Sequence, residues 1–120
     1  MSYFKRIIDG DVGTLEFDTP DSSVNILSGA ALTELEQELN EIAVRSDIKV
    51  LLITSAKKSI FIAGADIKEI DSITDPQEAS EKCNRGKQVF NKLEKLPQIT
   101  VAVINGACLG GGYELSLACN

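Results

Sequence analysis

Two short stretches of this chain combine glycine-rich backbone with a carboxylate. The first, FIAGADIKEI at residues 61–70, places small residues and a glycine directly before Asp66. The second, NGACLGGGYELSLACN at residues 105–120, places three consecutive glycines shortly before Glu114. Glycine lets main-chain N–H groups approach a ligand closely, and a neighbouring carboxylate can move a proton. The pattern indicates chemistry on an oxygen atom that gains negative charge.

A helix is predicted to begin inside the glycine run, because an apolar helical pattern continues through Leu115 to Cys119. The first turn of a helix carries free N–H groups and a partial positive charge, which suit a developing oxyanion. The stretch around Gly64 follows an apolar strand pattern and supplies a second candidate donor. Two such donors on one carbonyl oxygen would form an oxyanion hole, and losing one typically raises the barrier by about 3–4 kcal/mol.

Each of these residues also has a purely structural interpretation. Three glycines before a helix suit tight packing as well as catalysis, and Asp66 suits a helix N-cap. Glu114, within the first turns of a helix, could be solvated or interact with the helix dipole. Structural roles are also expected for two cysteines and two lysines. Cys108 and Cys119 are expected to be small core residues, and Lys57 and Lys58 to belong to a solvated loop.

Composition excludes several classes of protein. The chain has 120 residues, 43% of them apolar and 25% charged, which is typical of one small globular domain. A net charge of −6 argues against a binder of nucleic-acid backbone, which needs clustered Lys and Arg. The chain has no His, so Ser-His-Asp catalysis and most zinc sites are excluded. We therefore expect no metal centre and no nucleic-acid partner.

The cysteines and the hydropathy pattern predict a cytoplasmic, soluble protein. The three cysteines lack CxxC spacing and are odd in number, which favours free thiols in a reducing compartment. The N-terminus shows no apolar signal-peptide core, and no apolar run is long enough to span a bilayer. No membrane partner is expected.

The chain pattern predicts an α/β fold in one domain spanning residues 1–120. Strands are predicted at residues 3–8, 12–17, 49–54 and 99–104, the last two buried on both faces, with a short extended piece at 24–27. Ser28 is predicted to cap a first long helix whose core face carries Leu32, Leu35, Leu39 and Ile42. A second long helix is predicted from Asp75-Pro76 to Pro97, and a short one after Asp66. Because Asn120 falls inside an apolar helical pattern, we expect the chain to be the N-terminal part of a longer one.

The two stretches together resemble the enoyl-CoA hydratase/isomerase (crotonase) family. FIAGADIKEI is similar to that family's F-x-A-G-A-D-[IL]-x-E segment, and NGACLGGGYELSLACN to its N-G-x-x-x-G-G-G-x-E-L-x-x-x-C-D segment. The resemblance runs from about residue 3 to residue 120, and DTPDSSVNIL at 18–27 looks closest to the hydratase part of multifunctional fatty-acid oxidation alpha subunits. It implies the crotonase-like (ClpP/crotonase) spiral of ββα units, here incomplete at the C-terminus.

The resemblance implies roles for individual residues. The backbone N–H groups of Ala65 and Gly111 would be the two oxyanion donors, and Glu114 would be one of two catalytic carboxylates. The residues implied on the coenzyme A and adenine side are Val24, Ile26, Ala63, Asp66 and Ile67. Those implied to face the acyl or pantetheine part are Ala107, Leu109 and Gly110. The second carboxylate of hydratases would lie one structural unit beyond Glu114, and Asn120 stands where the family usually has Asp.

The activity that the resemblance implies is enoyl-CoA hydration, the addition of water across the 2,3 double bond of the thioester, in fatty-acid β-oxidation. Coenzyme A arrives with the substrate, so no separate cofactor is implied. The implied assembly is a homotrimer or hexamer, or part of a fatty-acid oxidation complex. The 120-residue chain by itself is expected to be nearly inactive, because it carries one carboxylate of the pair.

Three alternatives remain open from the sequence. Within the same family, a Δ3-Δ2 enoyl-CoA isomerase shares the oxyanion hole and differs in its acid-base residues. A non-catalytic acyl-CoA-binding member would bind thioesters without turnover. A nucleotide-binding α/β domain of another class is disfavoured, because neither a phosphate loop nor a GxGxxG segment is present.

Overall fold

A computed structural model describes residues 2–120 and contains strands and helices in the mixed order that the sequence predicts. The elements are β1 (Phe4–Asp9), β2 (Val12–Phe17), β3 (Ile26–Leu27), α1 (Gly29–Ala43), β4 (Val50–Ser55), β5 (Ile60–Ile62), β6 (Gly64–Ala65), α2 (Ile67–Asp71), α3 (Pro76–Glu94), β7 (Ile99–Ala102), β8 (Ala107–Cys108) and α4 (Gly111–Ala118). None of the helices in the described part of the chain has the length and apolar character needed to cross a membrane.

A four-stranded sheet in the order β1-β2-β4-β7 forms the body of the fold. The β1–β2 hairpin is antiparallel, whereas β4 and β7 join in parallel, as crossover connections through helices require. Alternation in β2 buries Gly13, Leu15 and Phe17 on one face. That face packs against α1 and α3, and the phenyl rings of Phe4 and Phe17 stack there with centroids 4.5 Å apart.

The prediction that residues 49–54 and 99–104 are buried on both faces is wrong for the described chain. In β4, Leu51 and Ile53 are buried while Leu52 is only half-buried. In β7, Ile99 is 59% exposed and Val101 is 40% exposed. The helices cover one face of the sheet, so the apolar residues on its other face have few partners among residues 2–120.

Both long helices begin at the residues that their capping patterns predict. The side chain of Ser28 accepts a hydrogen bond from the Ala31 N–H, and that of Asp75 accepts one from the Gln77 N–H. The core face of α1 is Ala31, Leu35, Leu39 and Ile42, so Ala31 takes the place predicted for the half-buried Leu32. Helix α3 ends at Glu94, before the predicted stop at Pro97. Helix α4 ends at Ala118, so Asn120 lies beyond the helix, where its side-chain oxygen accepts a hydrogen bond from the Thr100 N–H.

An ion-pair cluster ties α3 to α1. The Glu36 carboxylate accepts from the Arg85 guanidinium at 2.7 Å and lies 3.1 Å from the Lys92 ammonium. The hydrogen bond from Arg85 lowers the pKa of the Glu36 carboxyl below its ordinary value. Because the folded-state pKa is depressed, this contribution to stability is present above the unfolded-state pKa and is lost as the pH falls through the folded-state pKa.

Glu36→Gln is expected to lower the free energy of unfolding by about 1 kcal/mol at neutral pH, because two cations lose their shared carboxylate. The difference from wild type should shrink below about pH 4, where the wild-type carboxyl also becomes neutral. Urea unfolding at pH 7 and pH 3 measures it. Glu81→Gln, at an exposed position on the partner helix α3 with no ion pair among residues 2–120, is the control and should change little. An equal loss at both pH values would contradict the electrostatic origin.

Candidate active site

Two small parallel strand pairs bring the glycine-rich stretches together. Strand β5 pairs with β8, with Ile60 opposite Ala107 and Ile62 opposite Cys108. The pairing continues into the following loop, where the Leu109 N–H donates to the Ile62 carbonyl at 3.0 Å. Strand β3 pairs with β6 in the same way, so residues 26–27 lie beside residues 64–65. Three segments that are distant in sequence therefore meet at one place.

Gly64 and Gly110 allow the two glycine-rich stretches to approach each other closely. Gly64 has φ +126° and Gly110 has φ +50°, conformations that residues with side chains rarely adopt. A Cβ on Gly64 would lie 3.6 Å from the Leu109 carbonyl oxygen, and one on Gly110 would lie 3.9 Å from the Gly64 Cα. The backbone of one stretch thus runs directly against the backbone of the other, with no side chain between them.

A buried amide that the sequence analysis did not single out fastens this junction. Asn25 is 0% exposed, and its Nδ2 donates to the carbonyls of Phe17 and Phe61 and to the Ser55 hydroxyl at 2.9–3.0 Å. Its Oδ1 accepts from the Thr19 N–H at 2.9 Å, and its backbone carbonyl accepts from the Ala63 N–H at 2.8 Å. One side chain thereby links the main sheet to the segment that precedes Gly64.

The last glycine of the run serves packing. Gly112 is buried in the first turn of α4, and a Cβ there would lie 2.6 Å from the Ile62 Cβ and 3.0 Å from the Ile62 carbonyl oxygen. Helix α4 can rest on β5 only because this position lacks a side chain. The structural interpretation of the glycine run is correct for this residue.

Gly112→Ala is expected to destabilise the fold by about 1–3 kcal/mol, because the added methyl group meets strand backbone that cannot move aside. Gly86→Ala, also inside a helix but with no atom within 4 Å of the added Cβ, is the matched control. It should stabilise by about 0.5–1 kcal/mol through helix propensity alone. Thermal unfolding of both variants measures their changes in stability. Changes of equal size and sign in the two variants would contradict this account.

Of the two predicted oxyanion donors, Gly111 begins a helix and Ala65 ends strand β6. Gly111 is the first residue of α4, and among residues 2–120 its N–H donates to no backbone or side-chain acceptor. Ala65 lies directly before Asp66, whose carboxylate caps α2 by accepting from the Lys68 N–H at 3.0 Å. The prediction that Asp66 is an N-cap is confirmed. The backbone geometry leaves a free donor at Gly111, as an oxyanion site requires.

A cleft of about 490 Å³ opens beside Ala65 and Gly111. Its volume is within the size range of small-molecule sites. Ala65, Asp66, Gly111 and Glu114 all line it. Apolar and small residues form most of the remaining wall: Leu27, Leu32, Ile70, Ile73, Ala79, Cys83, Gly86 and Phe90. Charged side chains of Glu69, Lys82 and Lys87 complete it.

Glu114 differs from the other two carboxylates of the cleft. Asp66 is bonded to the Lys68 N–H, and both oxygens of Glu69 accept from the Gly29 N–H, at 3.1 and 3.2 Å. The Glu114 carboxylate accepts no hydrogen bond from any group in residues 2–120, and its side chain is exposed to the cleft. It is therefore the carboxylate available to hold a water molecule or move a proton.

The other predicted binding residues do not line the cleft. They are Val24, Ile26, Ala63, Ile67, Ala107, Leu109 and Gly110, of which Ile26 and Ala107 belong to the strand pairs and Ile67 and Leu109 are largely exposed.

Cys119 packs against the core, and its burial raises the pKa of the thiol, as expected for a structural residue. No group of three or more His, Cys, Asp or Glu side chains in residues 2–120 is arranged to hold a metal ion.

Lys57 is not the solvated loop residue that the sequence analysis predicts. Its side chain is only 11% exposed, and its Nζ lies 2.6 Å from the Asp18 carboxylate. The same ammonium donates to the carbonyls of Thr19 and Ser22 at 2.8 and 2.7 Å. Lys57 therefore holds the loop that leads to Asn25, whereas Lys58 is exposed. Sequence gave no local signal for this contact, because its partners lie more than 30 residues away.

Comparison with known proteins identifies the family. The family model described as enoyl-CoA hydratase/isomerase matches residues 8–120. The chain belongs to the enoyl-CoA hydratase/isomerase family. The fatty acid oxidation complex subunit alpha of Shewanella halifaxensis is 43% identical over 112 residues, which cover 93% of this chain and 16% of that protein. The same subunit of Shewanella loihica is 41% identical over 119 residues, or 99% of this chain and 17% of that protein.

Solved structures of the enoyl-CoA hydratase/isomerase family have the same fold. An enoyl-CoA hydratase from Bacillus anthracis superposes with a TM-score of 0.91 at 32% identity, covering 99% of this chain and 46% of that one. An enoyl-CoA hydratase/carnithine racemase from Magnetospirillum magneticum has a TM-score of 0.92 at 26% identity, covering 100% of this chain and 45% of that one. The predicted crotonase-like α/β fold is confirmed. The chain spans about half the length of these structures and about a sixth of the alpha subunits.

Proposed function

We propose that the native protein carrying this chain is an enoyl-CoA hydratase of fatty-acid β-oxidation. The observation that carries the proposal is that Ala65, Gly111 and Glu114 line one cleft, although they come from segments about 50 residues apart. The names of the relatives and of the solved structures support the same activity and pathway.

The chemistry follows from this arrangement. The oxygen of water adds to the β-carbon of the enoyl thioester, and the electron pair of the double bond moves toward the thioester carbonyl. The N–H groups of Ala65 and Gly111 would stabilise the negative charge on the carbonyl oxygen. Glu114 would hold the water and accept its proton, and a proton delivered to the α-carbon completes the addition. A second carboxylate, contributed from outside residues 2–120, would share this proton transfer.

Hydration of crotonyl-CoA by the native protein, followed as loss of the absorbance of the conjugated enoyl thioester, tests the proposal. We expect steady turnover without added metal or redox cofactor, since none is needed to polarise the carbonyl or move the proton. Binding of the thioester without turnover would instead favour a non-catalytic acyl-CoA-binding member. Conversion of a 3-enoyl-CoA without hydration of the 2-enoyl-CoA would favour the isomerase.

The proposal extends to the setting of the enzyme. The named relatives are alpha subunits of a fatty acid oxidation complex, which supports membership of such a complex; a homotrimer or hexamer is the alternative assembly. The three cysteines are free in the described chain, with Cys83 exposed, which supports a reducing, cytoplasmic compartment. Coenzyme A would enter only as part of the substrate.

A further inference from the structure

One glycine in the wall of the cleft has no role in the packing of the fold. Gly86 lies in the interior of α3, where glycine weakens a helix relative to alanine. A Cβ at this position would meet no atom within 4 Å, and φ of Gly86 is not positive. Neither close packing nor backbone conformation therefore requires glycine here, in contrast to Gly112 and Gly64.

Gly86 occupies the centre of the helix face that borders the cleft. Ala79, Cys83, Gly86 and Phe90 all line the cleft, and they recur at intervals of four, three and four residues. This spacing puts them on one side of α3, one above the other. Ile70 and Ile73, from α2 and the loop after it, face the same space. Ala79, Cys83, Gly86 and Phe90 thus form an uncharged row in which three of the four side chains are small, and the exposed Lys82 and Lys87 flank it.

The length of this face bounds what it can bind. From Ala79 to Phe90 the helix rises roughly 16 Å, at about 1.5 Å per residue. A fully extended backbone advances about 3.5 Å for every three bonds, so roughly fourteen carbons of an extended alkyl chain match that length. The wall contributes no hydrogen-bonding side chain between Ala79 and Phe90 other than Lys82 and Lys87, which are exposed. Its chemistry suits a saturated hydrocarbon tail.

We propose that Gly86 is a specificity-determining residue, which keeps the cleft open so that the tail of a medium- or long-chain acyl thioester lies along α3. The inference rests on the proposed hydratase function, since it assigns the acyl part of the substrate to a wall of that same cleft. A side chain at position 86 would enter the space that the tail occupies and leave the thioester end of the cleft untouched.

The test is the ratio of kcat/KM for trans-2-dodecenoyl-CoA to kcat/KM for crotonyl-CoA, measured in the native protein and its variants. In Gly86→Leu this ratio should fall about tenfold or more, because several methylene groups of the long tail lose their place. Gly86→Ala, which favours the helix and will fold, should lower the ratio by a few-fold. Asn84→Leu adds the same side chain to an exposed position of α3 that does not line the cleft, and should leave the ratio unchanged.

The outcomes separate the two proposals. If the wild type hydrates crotonyl-CoA but both Gly86 variants keep the wild-type ratio, the role of Gly86 is wrong and the hydratase function stands. A fall of the same size in Asn84→Leu would likewise overturn the role of Gly86, because the effect would not depend on the cleft. If the wild type hydrates neither thioester, the proposed function fails and the inference fails with it.

Discussion

Glu114→Gln in the native protein is expected to lower kcat for hydration of crotonyl-CoA by about 10²–10⁴-fold, with little change in KM. Glutamine keeps the size of the side chain and its ability to hydrogen-bond a water molecule, but it cannot accept the proton. Among residues 2–120, Glu114 is the carboxylate of the cleft that no backbone N–H engages. Steady-state kinetics with the enoyl thioester measures the loss.

The matched control is Glu78→Gln. Glu78 also lies in the first turn of a helix, where it pairs with Lys82 at the surface, but it does not line the cleft. Its replacement should leave kcat within about twofold of wild type, as for surface changes away from a functional site. If Glu114→Gln hydrated crotonyl-CoA at the wild-type rate, the assignment of Glu114 as the acid-base group would be wrong.

Gly111→Pro is expected to lower kcat by about 10²–10³-fold, because proline removes the N–H proposed as an oxyanion donor. Gly111 is the first residue of α4, where proline is readily accepted and where no intrahelical hydrogen bond is lost. The preceding residue, Gly110, has no side chain to clash with the ring. The substitution therefore removes one hydrogen-bond donor while the helix is kept.

Gly111→Ala separates the loss of the donor from the added bulk. A Cβ at this position lies 3.3 Å from the Leu27 Cδ1, the flexible end of a side chain, in both variants. Alanine keeps the N–H, so its kcat should stay within about tenfold of wild type, well above that of the proline variant. Circular dichroism and thermal unfolding of both variants check that α4 is intact. Equal losses of kcat in the two variants would show that bulk, not the donor, matters.

Local signals in the sequence predicted the elements that carry the site. Ser28 and Asp75 are caps in the structure because a short polar side chain bonds N–H groups within its own helix turn. Strand β2 was predicted with its observed bounds, since alternation is read from neighbouring residues. The helix starting in the glycine run and the cap at Asp66 follow in the same way.

Burial was harder to predict, because it depends on which elements pack together. Ile99 and Val101 are as apolar as buried strand residues, yet the helices of the described chain lie against the other face of the sheet. Phe90 is as apolar as the core residues of α3, yet it borders the cleft while packing partly on the core. The only local signal at Gly86 is a glycine inside a helical pattern, which does not show what the glycine faces.

The sequence by itself determined the α/β fold class, the family resemblance and the identity of the candidate donors and carboxylate, because motif residues and periodicity are properties of neighbouring positions. Only the tertiary structure decided that these groups share one cleft, and that Gly112 serves packing while Gly111 keeps a free N–H. Pairing of Ile60 with Ala107 and of Ile26 with Gly64 joins segments about 40–50 residues apart. Such long-range register is set by packing of the whole chain, so no local pattern contains it.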